Sequence, residues 1–145
     1  MSAKTQSFSS HARWLPIYHF VASPLTAIYA VRAIVEAVQT PSSAATWHAL
    51  WAVGISAAVL SSRIMAITVQ NRVIRLEMRL RMKELLSPAD YERSRVLSVR
   101  QMIALRFASD AELPSLVERT LKGEFDKPRD IKAAVKDWQA DWLRA

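Results

Sequence analysis

Hydrophobic and charged positions are segregated along this chain. Residues 14–62 contain only two formal charges, Arg32 and Glu36, whereas residues 63–145 contain 17 of the 20 Lys and Arg and 12 of the 13 Asp and Glu. A hydrophobic first half followed by a charged second half indicates a membrane part joined to a water-exposed part. The pattern predicts an all-α protein: a two-span transmembrane helical hairpin whose second span continues as a long basic helix into a small cytoplasmic α-helical domain.

Two uncharged stretches are long enough to cross a bilayer, which takes roughly 17–25 apolar residues in a helix. The first covers residues 14–31. The second is uncharged over residues 37–62 and continues to residue 69, because an arginine near a helix end such as Arg63 can extend its head to the interface. A turn near Pro41 separates them. The alternative is a soluble helical protein whose two buried helices happen to be uncharged.

The first stretch also invites comparison with a cleaved signal peptide. Its apolar region is longer than a signal peptide needs, it contains Pro16, Pro24 and His19, and no clear cleavage site follows before Arg32. These features favour a retained anchor.

Cationic residues around the spans predict the orientation. Lys4 and Arg13 precede the first span, five arginines fall within residues 63–81, and the connector at residues 33–46 has no Lys or Arg. Basic flanks stay on the cytoplasmic side. We therefore expect a multi-pass protein of the inner (plasma) membrane with both termini cytoplasmic. Its expected parts are a cytoplasmic segment (1–13), the hairpin (14–69), and a basic helix with its small domain (70–145).

The basic helix after the second span carries four cations on one face: Arg72, Arg75, Arg79 and Lys83. We interpret this face as a candidate site for anionic lipid headgroups or a partner, with a solvated surface as the alternative. Nucleic-acid binding is disfavoured because no aromatic residue lies between residues 63 and 90 to stack on a base. Glu77 and Arg81 have the spacing of an ion pair within one helix.

The same helix has two apolar stripes, which predict two packing partners within this chain or in a second copy. One stripe is Val69, Val73, Leu76 and Leu80, and the other is Ile67, Ile74, Met78 and Leu85.

Small residues recur every fourth position in both spans: Ala22, Thr26 and Ala30 in the first, and Gly54, Ala58 and Ser62 in the second. Such spacing lets membrane helices approach closely. We expect it to serve packing within the hairpin, and a homodimer interface is the alternative.

Short helices are expected beyond residue 86. Pro88 and Pro128 are suited to first helical positions, and Gly123 to a helix end. Ser98 with Gln101, and Ser109 with Glu112, have capping-box spacing. An apolar stripe predicts that the last helix extends over Ile131, Val135, Trp138 and Trp142.

Candidate chemistry is sparse. The chain has no cysteine and two glycines, which excludes disulfides and thiolate metal sites and leaves no phosphate-cradling glycine loop. No catalytic signature is present, so we expect no enzyme activity and no cofactor. His19, inside the first span, is the weak candidate for a haem or quinone site in an oligomer, and an interfacial, hydrogen-bonded histidine is the alternative.

Four segments carry a family resemblance: SHARWLPIYHF, RVIRLEMRLR, LRFASDAELPSLV and IKAAVKDW. In these segments the chain resembles a family of small bacterial two-span membrane proteins of unknown function, the domain-of-unknown-function family numbered 6526. The first segment includes His11, Arg13, Trp14, Pro16, His19 and Phe20. Near the end, Gln139 and Ala140 stand where the family has a basic residue and a proline. The resemblance implies a topology and no activity.

Together these features predict a non-enzymatic membrane anchor or accessory subunit whose cytoplasmic part binds another protein. The alternatives are a haem- or quinone-carrying subunit using His19, and a sensor of anionic lipid or nucleic acid acting through the Arg72 face.

Overall fold

The structure, a computed structural model, describes residues 14–140. They form a short π-helix, Ile17–Ala22, and six α-helices: α1 (Ser23–Gln39), α2 (Ser43–Leu85), α3 (Pro88–Ser94), α4 (Val99–Leu105), α5 (Leu113–Leu121) and α6 (Pro128–Ala134). The all-α class is confirmed, since this range contains no strand and only a single antiparallel bridge, Ala108 to Trp138. Lys4, His11, Arg13 and Trp142, which enter the sequence predictions, lie outside the described residues.

The chain divides into two compact units. In the described part, the N-terminal unit holds residues 14–68 and the C-terminal unit holds residues 69–140. Helix α2 contributes residues to both of them.

The N-terminal unit is a helical hairpin with a very short connection. Helix α1 runs eight residues past the expected end at Val31, because the following residues RAIVEAVQ include no helix breaker and Arg32 and Glu36 are exposed on it. It ends at Gln39, and the C-cap Thr40, directly before Pro41, donates its N–H to Glu36 O at 2.9 Å. Proline favours extended backbone in the residue before it. The connector is therefore three residues, shorter than the sequence predicted.

The π-helix precedes α1 and has a local cause. The N–H of Ser23 donates to Tyr18 O, five residues back, instead of four. Pro24 follows and has no N–H to donate, so a regular α-helical ladder would lose a bond at this point. A π-bulge is one way in which a helix accommodates such a break.

Contacts between α1 and the first part of α2 use small residues. Ser56 Oγ donates to Thr26 O at 3.2 Å and to Ala52 O at 2.8 Å. Thr26 and Ser56 lie equally far from Pro41 along the chain, as an antiparallel hairpin requires. Ala33, Ala45 and Ala52 are buried. Small side chains let the two backbones approach closely.

Both helices of the hairpin are long and apolar enough to cross a membrane. The stretches are Ile17–Gln39, of 23 residues, and Ser43–Leu85, of 43 residues, and in each only 6% of the most apolar window is buried by the chain. The core helix of a soluble protein is mostly buried, and neither of these helices is.

The C-terminal unit has one hydrophobic core. One face of α2 supplies Ile74, Met78 and Met82, which are at most 5% exposed. Helices α4, α5 and α6 pack against one another, and α3 packs against α5. Buried side chains of these helices and of the segments beside them complete the core: Leu97, Met102, Leu105, Leu113, Leu116, Val117, Ile131 and Val135.

Most of the predicted helix ends in this unit are confirmed. Ser98 accepts from Gln101 N, and Gln101 Oε1 accepts from Ser98 N at 2.8 Å, which is a complete capping box. Pro88 and Pro128 begin α3 and α6. Gly123 ends α5 with a φ of 76°.

The capping box predicted for Ser109 and Glu112 is wrong. Helix α5 begins at Leu113, and the side chain of Glu112 makes no cap bond there. Its carboxylate instead accepts from the backbone N–H groups of Lys136 and Asp137 at 3.1–3.2 Å. The Glu112 carboxylate therefore accepts from a backbone 24 residues further along the chain and is not available for the capping box.

The predicted length of the last helix is also wrong. Helix α6 ends at Ala134, and Val135 is already extended. Trp138 turns inward, with its ring centroid 4.7 Å from that of Phe107, and Gln139 N donates to Phe107 O at 2.8 Å. Packing on a fully buried aromatic ring replaces continuation of the helix.

Candidate functional site

A groove in the C-terminal unit combines apolar and charged lining residues. We call it the α3–α5 groove; it has a volume of about 420 Å³. Its apolar floor consists of Leu85, Leu86, Val117 and Leu121, and its rim includes Asp90, Arg93, Ser115 and Glu118. Helix α3 is aligned by its N-cap, because Ser87 Oγ accepts from Asp90 N at 3.2 Å and donates to Asp90 Oδ2 at 2.7 Å.

The rim carries charges of both signs. Arg93 Nη1 lies 3.2 Å from Asp90 Oδ1, one turn away on α3. Lys122 Nζ lies 2.8 Å from Glu118 Oε1 at the end of α5. The hydrogen bond from Lys122 lowers the pKa of the Glu118 carboxyl below its ordinary value, and the same bond raises the pKa of Lys122.

These two pKa shifts define a pH window for the pair. Because the pKa of Glu118 is depressed, the ion pair stabilises the fold fully at pH values above 4.5, the ordinary pKa of the carboxyl. This stabilisation is lost as the pH falls through the lower pKa of the folded state. Because the pKa of Lys122 is raised, its stabilisation is complete at pH values below 10.5, the ordinary pKa of the ammonium group. It is lost as the pH rises through the higher pKa of the folded state. The pair is therefore intact at neutral pH.

An apolar floor with a mixed-charge rim suits an amphipathic segment of another protein. Such segments bind by laying an apolar face into a hydrophobic groove. Residues 14–140 contain no group of three or more His, Asp or Glu close enough to hold a metal ion.

Arg81 ties α2 to the loop between α4 and α5. Its Nε donates to Asp110 Oδ1 at 2.6 Å, its Nη2 to Ala108 O at 2.6 Å, and its Nη1 to Arg106 O at 3.3 Å. The predicted pair with Glu77 is therefore wrong. A guanidinium presents several donors in a fixed plane, which lets one side chain hold three acceptors.

The predicted cationic face lies on α2 in the C-terminal unit. Arg72, Arg75 and Lys83 are exposed and Arg79 is half-buried. None of the four lines the α3–α5 groove. Sequence reasoning missed that groove because its floor combines residues about 30 positions apart, and its only sequence signal is the pair Leu85 and Leu86 without an assigned partner.

The small residues of the two spans lie in different surroundings. Ala22, Thr26 and Ala30 are half-buried, whereas Gly54, Ala58 and Ser62 are exposed. Gly54 and Ala58 line a shallow apolar groove of about 450 Å³ together with Trp47, Leu50, Trp51 and Ile55. Contact within the hairpin uses Ala52 and Ser56 on α2 instead.

His19 is half-buried in the π-helix. Its Nδ1 lies 3.1 Å from Leu15 N and 3.0 Å from Leu15 O, and its ring meets those of Trp14 and Tyr18 edge-on. Local backbone thus occupies one ring nitrogen. His48 is exposed on α2.

The described residues define an all-α protein with two helices long and apolar enough to cross a membrane and a small helical unit with a groove. The chain belongs to the family of unknown function DUF6526, whose model matches residues 1–145, and the resemblance found in the sequence is confirmed. No curated protein and no solved structure matches the chain.

Proposed function

We propose that this chain is a two-span integral membrane protein with both termini in the cytoplasm. It acts as a non-enzymatic anchor or accessory subunit whose C-terminal unit binds another protein. One observation carries the proposal: both apolar helices leave their side chains unburied, at 6% burial of each apolar window.

The exposed side chains of the hairpin support membrane insertion. Phe20, Ile28 and Trp51 are each more than 60% exposed, and other large apolar side chains of the same helices are exposed with them. Soluble monomers seldom expose contiguous apolar patches larger than a few hundred Å². Hydrocarbon covers such a surface without cost, and the helices satisfy their own backbone groups as a membrane span must.

The distribution of cations supports the orientation. Arg63 lies near the end of the apolar part of α2, Arg72, Arg75, Arg79 and Arg81 follow it, and the connector at residues 40–42 has no charge. Basic flanks are retained in the cytoplasm, which favours a cytoplasmic C-terminal unit.

The α3–α5 groove supports the partner-binding role. Its floor is apolar, with Leu85, Leu86 and Leu121 half-buried and Val117 buried, and its rim offers both signs of charge for orienting a bound segment. A partner helix with apolar residues on one side fits that chemistry.

Two measurements test the proposal. Alkaline carbonate should leave the full chain in the membrane pellet and detergent should extract it, since removal of a span from lipid exposes its apolar surface. Release into the carbonate supernatant would contradict membrane insertion.

A photo-crosslinking amino acid at Ser115, on the groove rim, tests partner binding in intact cells. It should give one adduct of defined mass. The matched control is the same substitution at Ala133, an exposed residue of α6 outside the groove, which should give none. No adduct at Ser115, or equal adducts at both positions, would exclude the groove as the binding site.

A further inference from the structure

One apolar stripe of α2 remains uncovered in the C-terminal unit. Val69, Val73, Leu76 and Leu80 are 48–60% exposed. The core face of α2, with Ile74, Met78 and Met82, lies on nearly the opposite side of the helix at about 100° per residue. Of the two predicted apolar stripes, the described residues bury Ile74 and Met78 of one and leave the other exposed.

The spacing of the uncovered stripe is that of a coiled coil. Its members follow one another at intervals of four, three and four residues. This places Val73 and Leu80 at heptad position a, and Val69 and Leu76 at position d. The central pair, Val73 at a and Leu76 at d, is the combination that favours two parallel strands, whereas Val69 at d and Leu80 at a reverse it, so the direction and number of strands are argued from the flanking charges.

Charges beside the stripe are complementary to those of an identical helix. Arg72 and Arg79 occupy the two g positions, and Glu77 and Glu84 occupy the e positions. None of these four side chains forms an ion pair with any residue in the described part of the chain.

In a parallel pair, each g residue faces the e residue five positions later on the other helix. Arg72 then faces Glu77 of the second copy, and Arg79 faces Glu84. An antiparallel pair would instead place arginine against arginine and glutamate against glutamate. The charges therefore select both the partner and its direction.

We propose that the stripe binds a second copy of this chain as a short parallel coiled coil over Val69–Glu84. This inference rests on the proposed function, because insertion into one membrane gives both helices the same direction. Two heptads form a weak contact in dilute solution, and confinement to a membrane raises the effective concentration of the partner.

Two further cations of α2 define the limits of this contact. Lys83 falls at the next d position, where two like charges would meet, so the apolar seam ends at Leu80. Arg75 falls at position c, outside the seam, and remains available to water or lipid headgroups.

The absence of native cysteine makes the proposal directly testable by disulfide formation in the full chain in its membrane. Equivalent d positions of a parallel pair lie within disulfide reach. Under mild oxidation, Leu76→Cys should give a disulfide dimer several-fold more efficiently than Arg75→Cys, which sits one residue away on the outer side. Val73→Cys, at position a, provides a second reporter if Leu76→Cys impairs folding.

Charge exchange tests the partner's identity. In a chain carrying the Leu76→Cys reporter, Arg79→Glu should reduce the dimer several-fold, because the introduced carboxylate would face Glu84 of the second copy. Glu84→Arg should do the same with the opposite charge. Co-expression of the two variants should restore the dimer between differently tagged chains. Arg75→Glu, with the same change in charge off the stripe, should leave the dimer intact.

Several outcomes would overturn the coiled coil: equal disulfide yields at Leu76 and Arg75, no dimer at Leu76 and Val73, or no rescue in the mixed sample. Any of these would mean that a second copy does not cover the stripe in the proposed register. Carbonate extraction of the same samples separates this proposal from the proposed function. A membrane-embedded chain without the dimer removes only the coiled coil, and a dimer in the soluble fraction removes only the membrane assignment.

Discussion

At the scale of single residues, Arg81 shows why the sequence could not identify every polar contact. Its spacing to Glu77 predicts a pair within α2, yet its guanidinium donates to Asp110 and to the carbonyls of Ala108 and Arg106. Those acceptors come from 25 to 29 positions further along the chain. Spacing rules describe neighbours on one helix and carry no information about a loop that folds back from so far away.

We expect Arg81→Ala to destabilise the C-terminal unit by about 1–3 kcal/mol, because two carbonyls and a carboxylate would lose a charged donor. Arg81→Lys should recover only part of the loss, since an ammonium cannot reproduce the planar fork. The loss of stability can be measured in the full chain as a lower midpoint temperature for protease cleavage of the loop at residues 106–112.

Arg75→Ala is the matched control for Arg81, since Arg75 is exposed and forms no ion pair with a described residue. It should leave the midpoint within experimental scatter. Equal effects of the two substitutions would show that the contacts of Arg81 do not stabilise the unit.

At the scale of helices, the sequence predicted starts and stops well where one local group satisfies another. The ends marked by Pro88, Ser98, Gly123 and Pro128 all occur as expected. The errors arise where a distant contact prevails. Glu112 accepts from the chain after α6 instead of capping α5, and Trp138 leaves helical geometry to pack on Phe107. Neither partner is visible to a local pattern.

Gly123 and Gly54 allow a matched test of what ends a helix. At both positions a β-carbon would meet no atom within 4 Å, so packing is not the difference. Gly123 has a φ of 76°, and the bonds Gly123 N to Thr120 O and Glu124 N to Arg119 O complete a Schellman motif. Gly54 lies within α2.

Gly123→Ala should therefore destabilise the chain by about 1–2 kcal/mol, the cost of a left-handed backbone for a residue with a β-carbon. Gly54→Ala should be neutral or stabilise its helix by about 0.5–1 kcal/mol. Thermal unfolding in detergent, followed by circular dichroism, measures both. A stabilising Gly123→Ala would contradict the assigned role of the glycine.

At the scale of the whole molecule, segregation of charge gave the sequence its strongest predictive value. The all-α class and two apolar helices follow from residues 14–69 without any knowledge of packing, because length and composition are sufficient. The α3–α5 groove did not follow, because its walls meet only after the C-terminal unit has folded. Composition indicates the medium that a segment favours, and tertiary contacts determine the shape of a binding surface.

The orientation proposed above predicts a labelling pattern in spheroplasts. A membrane-impermeant maleimide should react with Ser43→Cys, at the start of α2, and should not react with Ala133→Cys, on α6, until the membrane is opened. Both sites are exposed in the fold, so only the membrane separates them. Labelling of Ala133→Cys alone from outside would reverse the topology while leaving both spans in place.

Because the connector at residues 40–42 is only three residues long, it offers very little surface to molecules outside the cell. In the proposed orientation, the extracytoplasmic face shows little more than a proline-centred bend between two helix tips. An antibody, a phage or a secreted protease would have almost no exposed polypeptide to bind there. Signals from beyond the cell would have to arrive through the lipid or through a neighbouring protein, and any such neighbour would meet this chain inside the bilayer or beneath it.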